Sequence, residues 1–255
     1  MPIEPLNFDW LTGFLLTLAR VGGVFSFVAI PGFQQAPELV KAALSILVSI
    51  ALYPVWPKWQ GALPSEGLFL VVVMSEAALG ITIGLAVRFV EEALLLSSQM
   101  VGLQAGYSFA STIDPSSQAD SSVLQVLASL TASLLFFAFR LHEQVIRVLA
   151  QSLVAHPPGR VFQMNASAEP LIQLGSSIFT SGVRLAFPVI ALLMFIDISL
   201  ALLGRLNSQL QLLSLSFPVK MLVAVAVLAM TGSSIPLIYE AAAIKNLGFV
   251  VRSMR

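Results

Sequence analysis

Six apolar runs decide what this chain can fold into. They lie at Trp10–Ile30, Val40–Trp56, Leu68–Leu96, Val123–Phe139, Ile178–Gly204 and Leu212–Tyr239. Each is near or above the roughly 20 residues that carry a helix across a bilayer. Strands end after about five or six residues, so runs of this length predict helices. Away from water, only helices and closed barrels keep every backbone N–H and C=O paired. The pattern therefore predicts an all-α, polytopic membrane-type protein built of long helical hairpins. Charge agrees: only 10% of the 255 residues are Asp, Glu, Lys or Arg, against about a quarter in an average soluble domain. So few ionisable groups cannot clothe a water-facing surface.

Several function classes drop out on composition. Net charge is zero, so no basic footprint for nucleic acid is expected. There is no cysteine and only two histidines, His142 and His156, which leaves no thiolate chemistry and no His-rich metal site. No Walker loop, dinucleotide-binding glycine fingerprint, HExxH motif or Gly-x-Ser-x-Gly elbow occurs. Accordingly no catalytic, cofactor-binding or metal-binding residue is assigned, and no cofactor is expected. The opening MPIEPLNFDW carries Glu4 and Asp9 but no Lys or Arg. A cleavable leader starts with positive charge, so the first apolar run is expected to stay in the protein.

The breaks between runs are local. AIPGFQQAPELVK, YPVWPKWQGALPSEG, HPPGR and MNASAEP are turn-forming stretches rich in Pro, Gly and small polar residues. None is long enough to separate domains, and a single domain over residues 1–255 is expected. The third run continues through SSQMVGLQAG, so its helix is predicted to reach about Gly106. The fourth continues as RLHEQVIRVLAQSLVAH, with Arg140, Glu143, Arg147 and Gln151 at helical spacing on one face. Between these two helices stands the soft segment GLQAGYSFASTIDPSSQADSS, Gly102–Ser122. Threading the six runs as spans puts Lys58, Arg140, Arg147, Arg160, Lys245, Arg252 and Arg255 on the side of both termini. Lys41 and Arg205 fall on the other side. The C-terminus is thus expected in the cytoplasm.

Nearly every run carries a charge: Arg20, Glu76, Arg88, Arg184, Asp197 and Lys220. At mid-bilayer each costs at least ~2.5–3.5 kcal/mol, so each should face protein or a wet cavity. Buried pairing between helices or subunits is the preferred reading for Arg20, Glu76, Asp197 and Lys220, ahead of a proton relay. Arg88 has Glu91 and Glu92 within local reach. Arg184 has no carboxylate at i±3 or i±4 on its own helix and needs a partner elsewhere. Gly80 and Gly84 form a small-xxx-small pair suited to close helix packing. Pro188 and Pro218 are expected to kink or break their helices.

Four stretches taken together carry a family resemblance. SEAALGITIGLAV gives Glu76, Gly80 and Gly84; AGYSFASTIDP gives Gly106, Ala110, Asp114 and Pro115; HPPG follows the fourth helix. FPVIALLMFIDISLALLGRLNSQLQLLSLSFPVK gives Pro188, Asp197, Gly204, Arg205, Gln209, Pro218 and Lys220. In this order the combination resembles the FliR family of the flagellar export gate and its type III secretion counterparts, over nearly the whole chain. It departs where members read Arg-x-x-Pro-Gln-x-Asn: Ser208 stands for the Pro and Gln211 for the Asn. Arg205 and Gln209 carry over more firmly than their neighbours. LSLSFPVK also echoes a stretch of the two-helix partner FliQ.

The resemblance implies an N-terminal FliP-like part joined to a FliQ-like hairpin over about residues 175–255. It implies one such subunit with several FliP-like and FliQ-like chains in a closed helical cone, together with an FlhB-like switch protein. The cone would stand within the basal-body ring at the inner membrane, largely above the membrane plane, and pass unfolded export substrates. Its drive would come from the proton-motive force and an ATPase elsewhere in the machine. A loop of this subunit would plug the closed pore. The resemblance favours residues 106–122 for that loop, with Gly106, Asp114 and Pro115 shaping it and Tyr107, Phe109 and Ile113 occluding. Arg20, Glu76, Arg88, Asp197, Arg205 and Lys220 would then pair between helices or subunits, and Gly80, Gly84, Pro188, Gln209 and Pro218 would serve packing and turns. The competing reading is a small secondary transporter whose charges line a solute path. Its mark would be matched broken helices in two repeats, and Pro188 and Pro218 find no N-terminal counterpart. A membrane-bound enzyme would need an active-site cluster that the sequence does not supply.

Overall fold

In the computed structural model, residues 9–28, 30–31, 36–56, 66–107, 123–158, 169–206 and 212–253 are described. They form eight helices: α1 (Asp9–Phe27), α2 (Glu38–Ala51), α3 (Glu66–Ala105), α4 (Val123–Ala138), α5 (Leu141–Ala155), α6 (Glu169–Leu206), α7 (Leu212–Thr231) and α8 (Ser234–Ser253). A single 3-10 turn, Tyr53–Val55, follows α2. No strand occurs among the described residues. The all-α class expected from the apolar runs is thus observed, and α3 reaches Ala105 as its sequence predicts, a helix of 40 residues.

The count of membrane-length helices differs from the six apolar runs. Among the described residues four helices, α1, α3, α6 and α8, are long and apolar enough to cross a membrane, or five spans with α4 and α5 taken as one broken span. Helix α2 has 14 residues, about 21 Å, short of the roughly 30 Å of hydrocarbon. The last apolar run is two helices, because α7 ends at Thr231 and α8 starts at Ser234. Pro236 is accommodated in the first turn of α8, where a missing N–H costs nothing.

The fourth predicted helix is also two. Arg140 takes the left-handed conformation, φ 50°, between α4 and α5. Its N–H bonds to Phe137 O and its carbonyl accepts from Glu143 N and Gln144 N. Arg140 therefore stands off the face shared by Glu143, Arg147 and Gln151 and meets Glu143 only at 3.6 Å on the surface. No Gly or Pro marks this break. Instead the Phe136 and Phe137 rings flank His142 across it, at 6.2 Å and 5.7 Å. Pro188 and Pro218 do not break their helices either: α6 and α7 run through them. Each proline forfeits one intrahelical bond, and the flanking apolar turns keep the helix.

Two compact units divide the chain. The first comprises Met1–Phe89, Phe136–Leu174 and Ala243–Arg255. Within it α1 lies against α3 at glycines. A Cβ on Gly23 would clash with Ala77 O, one on Gly80 with Arg20 O, and one on Gly84 would sit 2.7 Å from Val24 O. Leu16, Val21, Val24, Leu79 and Ile83 are buried around this contact. Asn246 near the C-terminus donates to Ala86 O at 3.1 Å. Trp56 donates from Nε1 to Ser49 O at 2.8 Å and its ring lies 5.3 Å from Phe14.

Helix α2, in this first unit, is inside out. Its buried residues are Ser45 and Ser49, each bonded back to its own helix. Leu39, Leu47 and Ile50 are more than half exposed.

The second unit comprises Val90–Leu135 and Gly175–Ala242. Its core is formed by Val101, Ala105, Leu124, Ala186, Val189, Leu193 and Ala224. Gly182 of α6 sits where a Cβ would lie 3.0 Å from Ala93 O of α3, so these two helices also approach closely.

Candidate functional site at the end of helix α3

Helix α3 ends in a Schellman turn. Tyr107 N bonds to Gly102 O at 2.9 Å and Gly106 N to Leu103 O at 3.2 Å. This is the 6→1 and 5→2 pattern that needs a left-handed residue between them. Gly106 supplies it with φ 87°. A side chain there would also strike Phe217 of α7, whose Cδ1 would lie 2.5 Å from the new Cβ. Tyr107 packs against the core of the second unit, and its hydroxyl donates a long bond to Met221 O, 3.4 Å. The soft segment thus leaves α3 from a root seated on α7.

An ion pair fastens the same level. Lys220 Nζ of α7 lies 2.9 Å from Asp197 Oδ1 of α6 and 3.1 Å from Oδ2. Gln104 of α3 donates its Nε2 to Asp197 Oδ2 at 2.9 Å. The Asp197 carboxylate is the hub: α3, α6 and α7 each place one polar side chain on it or supply it, two residues before the Gly106 turn. The Lys220 side chain is 12% exposed and that of Asp197 40%, so the carboxylate keeps a free edge while the cation is enclosed.

In the first unit, Arg20 is fully enclosed. Its Nε donates to Glu76 Oε2 at 2.7 Å, and Nη2 meets the same oxygen. Nη1 donates to Ser152 O at 2.8 Å and to Ser152 Oγ at 3.2 Å, and Nη2 to His156 O at 2.9 Å. A guanidinium has five N–H donors, and these contacts occupy them all. The side chains of Arg20 and Glu76 are 0% and 1% exposed. The carbonyl partners close the C-terminal end of α5, where the helix dipole favours a cation. Pro157 and Pro158 follow and stop the helix; Ser152 O already accepts from His156 N, and Arg20 adds a second donor to it.

The remaining predicted residues distribute as follows. Gly80 and Gly84 lie in the α1–α3 contact. Arg88 is half-buried on α3. Arg205 is exposed in the last turn of α6, where its charge complements the helix dipole. Phe109, Ile113, Asp114, Pro115 and Gln209 lie outside the described residues. Three partners had no signal in the motifs: Gln104, Phe217 and Ser152. Among the described residues no group of acidic or histidine side chains could hold a metal ion.

With this geometry in place, similarity to known proteins decides the family. A sequence model described as "Bacterial export proteins, family 1" matches residues 11–244. The chain belongs to this family. Relatives of this export-family chain include proteins named flagellar biosynthetic protein FliR. That of Escherichia coli K12 is 30% identical over 222 residues, 87% of this chain and 84% of the relative. That of Caulobacter vibrioides is 26% identical over 225 residues, 88% and 90% of the two chains. That of Bacillus subtilis is 22% identical over 220 residues, 85% and 84%. The matched region contains both polar clusters and the root of the soft segment.

Proposed function

We propose that this export-family chain is a FliR-type subunit of the flagellar export gate at the inner membrane, serving protein transport and not chemistry. In this reading it assembles with FliP-like and FliQ-like subunits, and with an FlhB-like switch protein, into the conduit for unfolded substrates. The observation that carries it is α2. A 14-residue helix that turns serines inward and Leu39, Leu47 and Ile50 outward is too short for its apolar face to be that of a bilayer span. Neighbouring subunits are the remaining cover, as expected of one chain in a helical assembly.

Residues 106–122 form the plug in this reading. Gly106 sets the exit angle; Tyr107, expected among the occluding side chains, is instead packed at the root on α7, which leaves Phe109 and Ile113 to occlude the pore and Asp114 and Pro115 to shape the loop. A root fixed by backbone bonds and a core contact supports the role, because a seal that opens must return to one position. Arg20–Glu76 and Asp197–Lys220 are structural pairs in this scheme, Arg88 and Arg205 meet other helices or subunits, Gln209 serves the connection between α6 and α7, and Pro218, inside α7, serves packing. The test is conductance. Gates assembled with the chain lacking Tyr107–Ile113 should leak ions in the closed state, while the intact chain should not. Equal closed-state conductance would sink the plug assignment. A chain that instead purifies as a stable monomer and binds a solute would favour a carrier.

A further inference from the structure

Gln104 of α3, Asp197 of α6 and Lys220 of α7 meet within the second unit. The apolar packing beside them is made largely of short side chains, among them Val101, Ala105, Ala186, Val189 and Ala224. Apolar burial is non-directional, so such a core holds helices together without fixing where along its neighbours α3 ends. A hydrogen bond has a length and an angle, and setting register is the best-attested use of polar contacts inside a packed interface. The bond from Gln104 Nε2 to Asp197 Oδ2 is 2.9 Å. Gln104 lies inside the turn closed by Gly106 N on Leu103 O and Tyr107 N on Gly102 O. The Tyr107 hydroxyl adds only a bond of 3.4 Å to α7, which is long for an O–H donor.

The three side chains are not equally free to let go. The Lys220 side chain is enclosed, so losing Asp197 would strand a cation. Asp197 keeps an exposed edge, where water can replace the Gln104 amide. The ion pair is thus the fixed part of the cluster and the amide the exchangeable part. We propose that Gln104 is a positioning residue. Through Asp197 it holds the last turn of α3 on α6 and α7, and this bond, not the ion pair, yields when the root of the following segment moves. Its use to a seal rests on the plug reading, whereas the hold itself does not.

Hydrogen exchange at the amides of Gly106 and Tyr107 tests the hold on the full chain, in one purified form shared by all variants. Gln104→Leu removes the donor and keeps helix propensity. Exchange of these two amides should then rise about tenfold or more, the scale of one hydrogen bond to a charged group. The Tm and the exchange of the rest of α3 should stay at their wild-type level. Gln104→Lys supplies a donor again and should restore protection. Gln104→Glu sets a carboxylate against Asp197 and should leave the turn at least as open as Gln104→Leu does. Asp197→Leu combined with Lys220→Met removes the acceptor without stranding a cation, and in that background Gln104→Leu should change nothing further. Unchanged exchange in Gln104→Leu overturns the proposal. An equal rise in all three Gln104 variants overturns it as well, because packing and not the bond would then hold the turn. So does faster exchange along all of α3 with a lower Tm, because Gln104 would then support the fold at large. Closed-state conductance separates the hold from the plug: a gate that seals without Tyr107–Ile113, while Gln104→Leu still frees the turn, keeps the hold and removes the plug.

Discussion

The Arg20 guanidinium shows how a membrane-type chain tolerates an enclosed charge. All five donors are met, by Glu76, Ser152 and His156, and the counter-charge is equally enclosed. Removing one partner leaves the other charged and stranded, which costs roughly 3–5 kcal/mol, whereas replacing both with apolar residues of similar size is often near neutral. Arg20→Met alone and Glu76→Leu alone should therefore each lower the Tm of the purified protein sharply, and the double variant should recover much of the loss. A double variant as unstable as the sum of the singles would show that the carbonyl contacts to α5, not the ion pair, set the stability. The charges themselves were legible in the sequence, because Arg20 and Glu76 interrupt apolar runs. Their partners were only half legible. A carboxylate is named by its residue type, but a backbone carbonyl of Ser152 becomes a partner only through the fold. The same holds for Asp197, whose contact with Gln104 had no motif to announce it.

At the scale of helices, glycine position separates contact from tolerance. Gly22 and Gly80 belong to helices that meet, yet a Cβ on Gly22 would find nothing within 4 Å while one on Gly80 would clash with the backbone of α1 at Arg20. Gly22→Ala should thus be neutral or stabilising by up to about 1 kcal/mol from helix propensity alone. Gly80→Val should abolish the folded, monodisperse species in size-exclusion chromatography. Survival of Gly80→Val with an unchanged elution profile would mean that α1 and α3 do not meet there. The end of α3 gives a second case. Gly106→Ala adds left-handed strain of roughly 1–2 kcal/mol to the clash with Phe217. Phe217→Ala should relieve the clash but not the strain, so Gly106→Ala should stay destabilising in that background by thermal unfolding, though less than in the wild type. Long apolar runs announced α1, α3 and α6 because their length leaves no alternative. The break at Arg140 stayed hidden because no Gly or Pro announces it; a non-glycine residue takes the left-handed conformation there, with local ring contacts of Phe136 and Phe137 to His142 spanning it. The split at Gly232-Ser233 was masked by apolar residues on both sides.

At the scale of the molecule, burial is uneven. Half of the apolar span in α1 is buried within the chain, but 33% of that in α3, 28% in α8 and 17% in α6. The interior of α6 is thus mostly supplied from outside, and its exposed Phe187, Met194, Phe195 and Leu202 need either lipid or protein. Hydrocarbon of roughly 30 Å would cover only part of α6, which at 38 residues is about 57 Å long, and it does not suit α2, whose outward leucines sit on a helix of about 21 Å. Exposed apolar surface beyond a few hundred Å² on one chain drives association. Each uncovered side chain forgoes roughly 1.5–3 kcal/mol of burial, comparable in sum to the whole stability of a domain. Expressed alone, the chain should therefore aggregate or be degraded, and co-expression with FliP-like and FliQ-like chains should raise its yield and carry it into one complex of defined mass. Leu47→Asp on α2 should weaken that assembly while leaving the chain in the membrane fraction, read by mass measurement of the complex beside a membrane-fraction assay. If the Leu47→Asp chain enters the complex as well as the wild type, α2 does not face a partner, and its inside-out pattern loses the explanation offered by assembly.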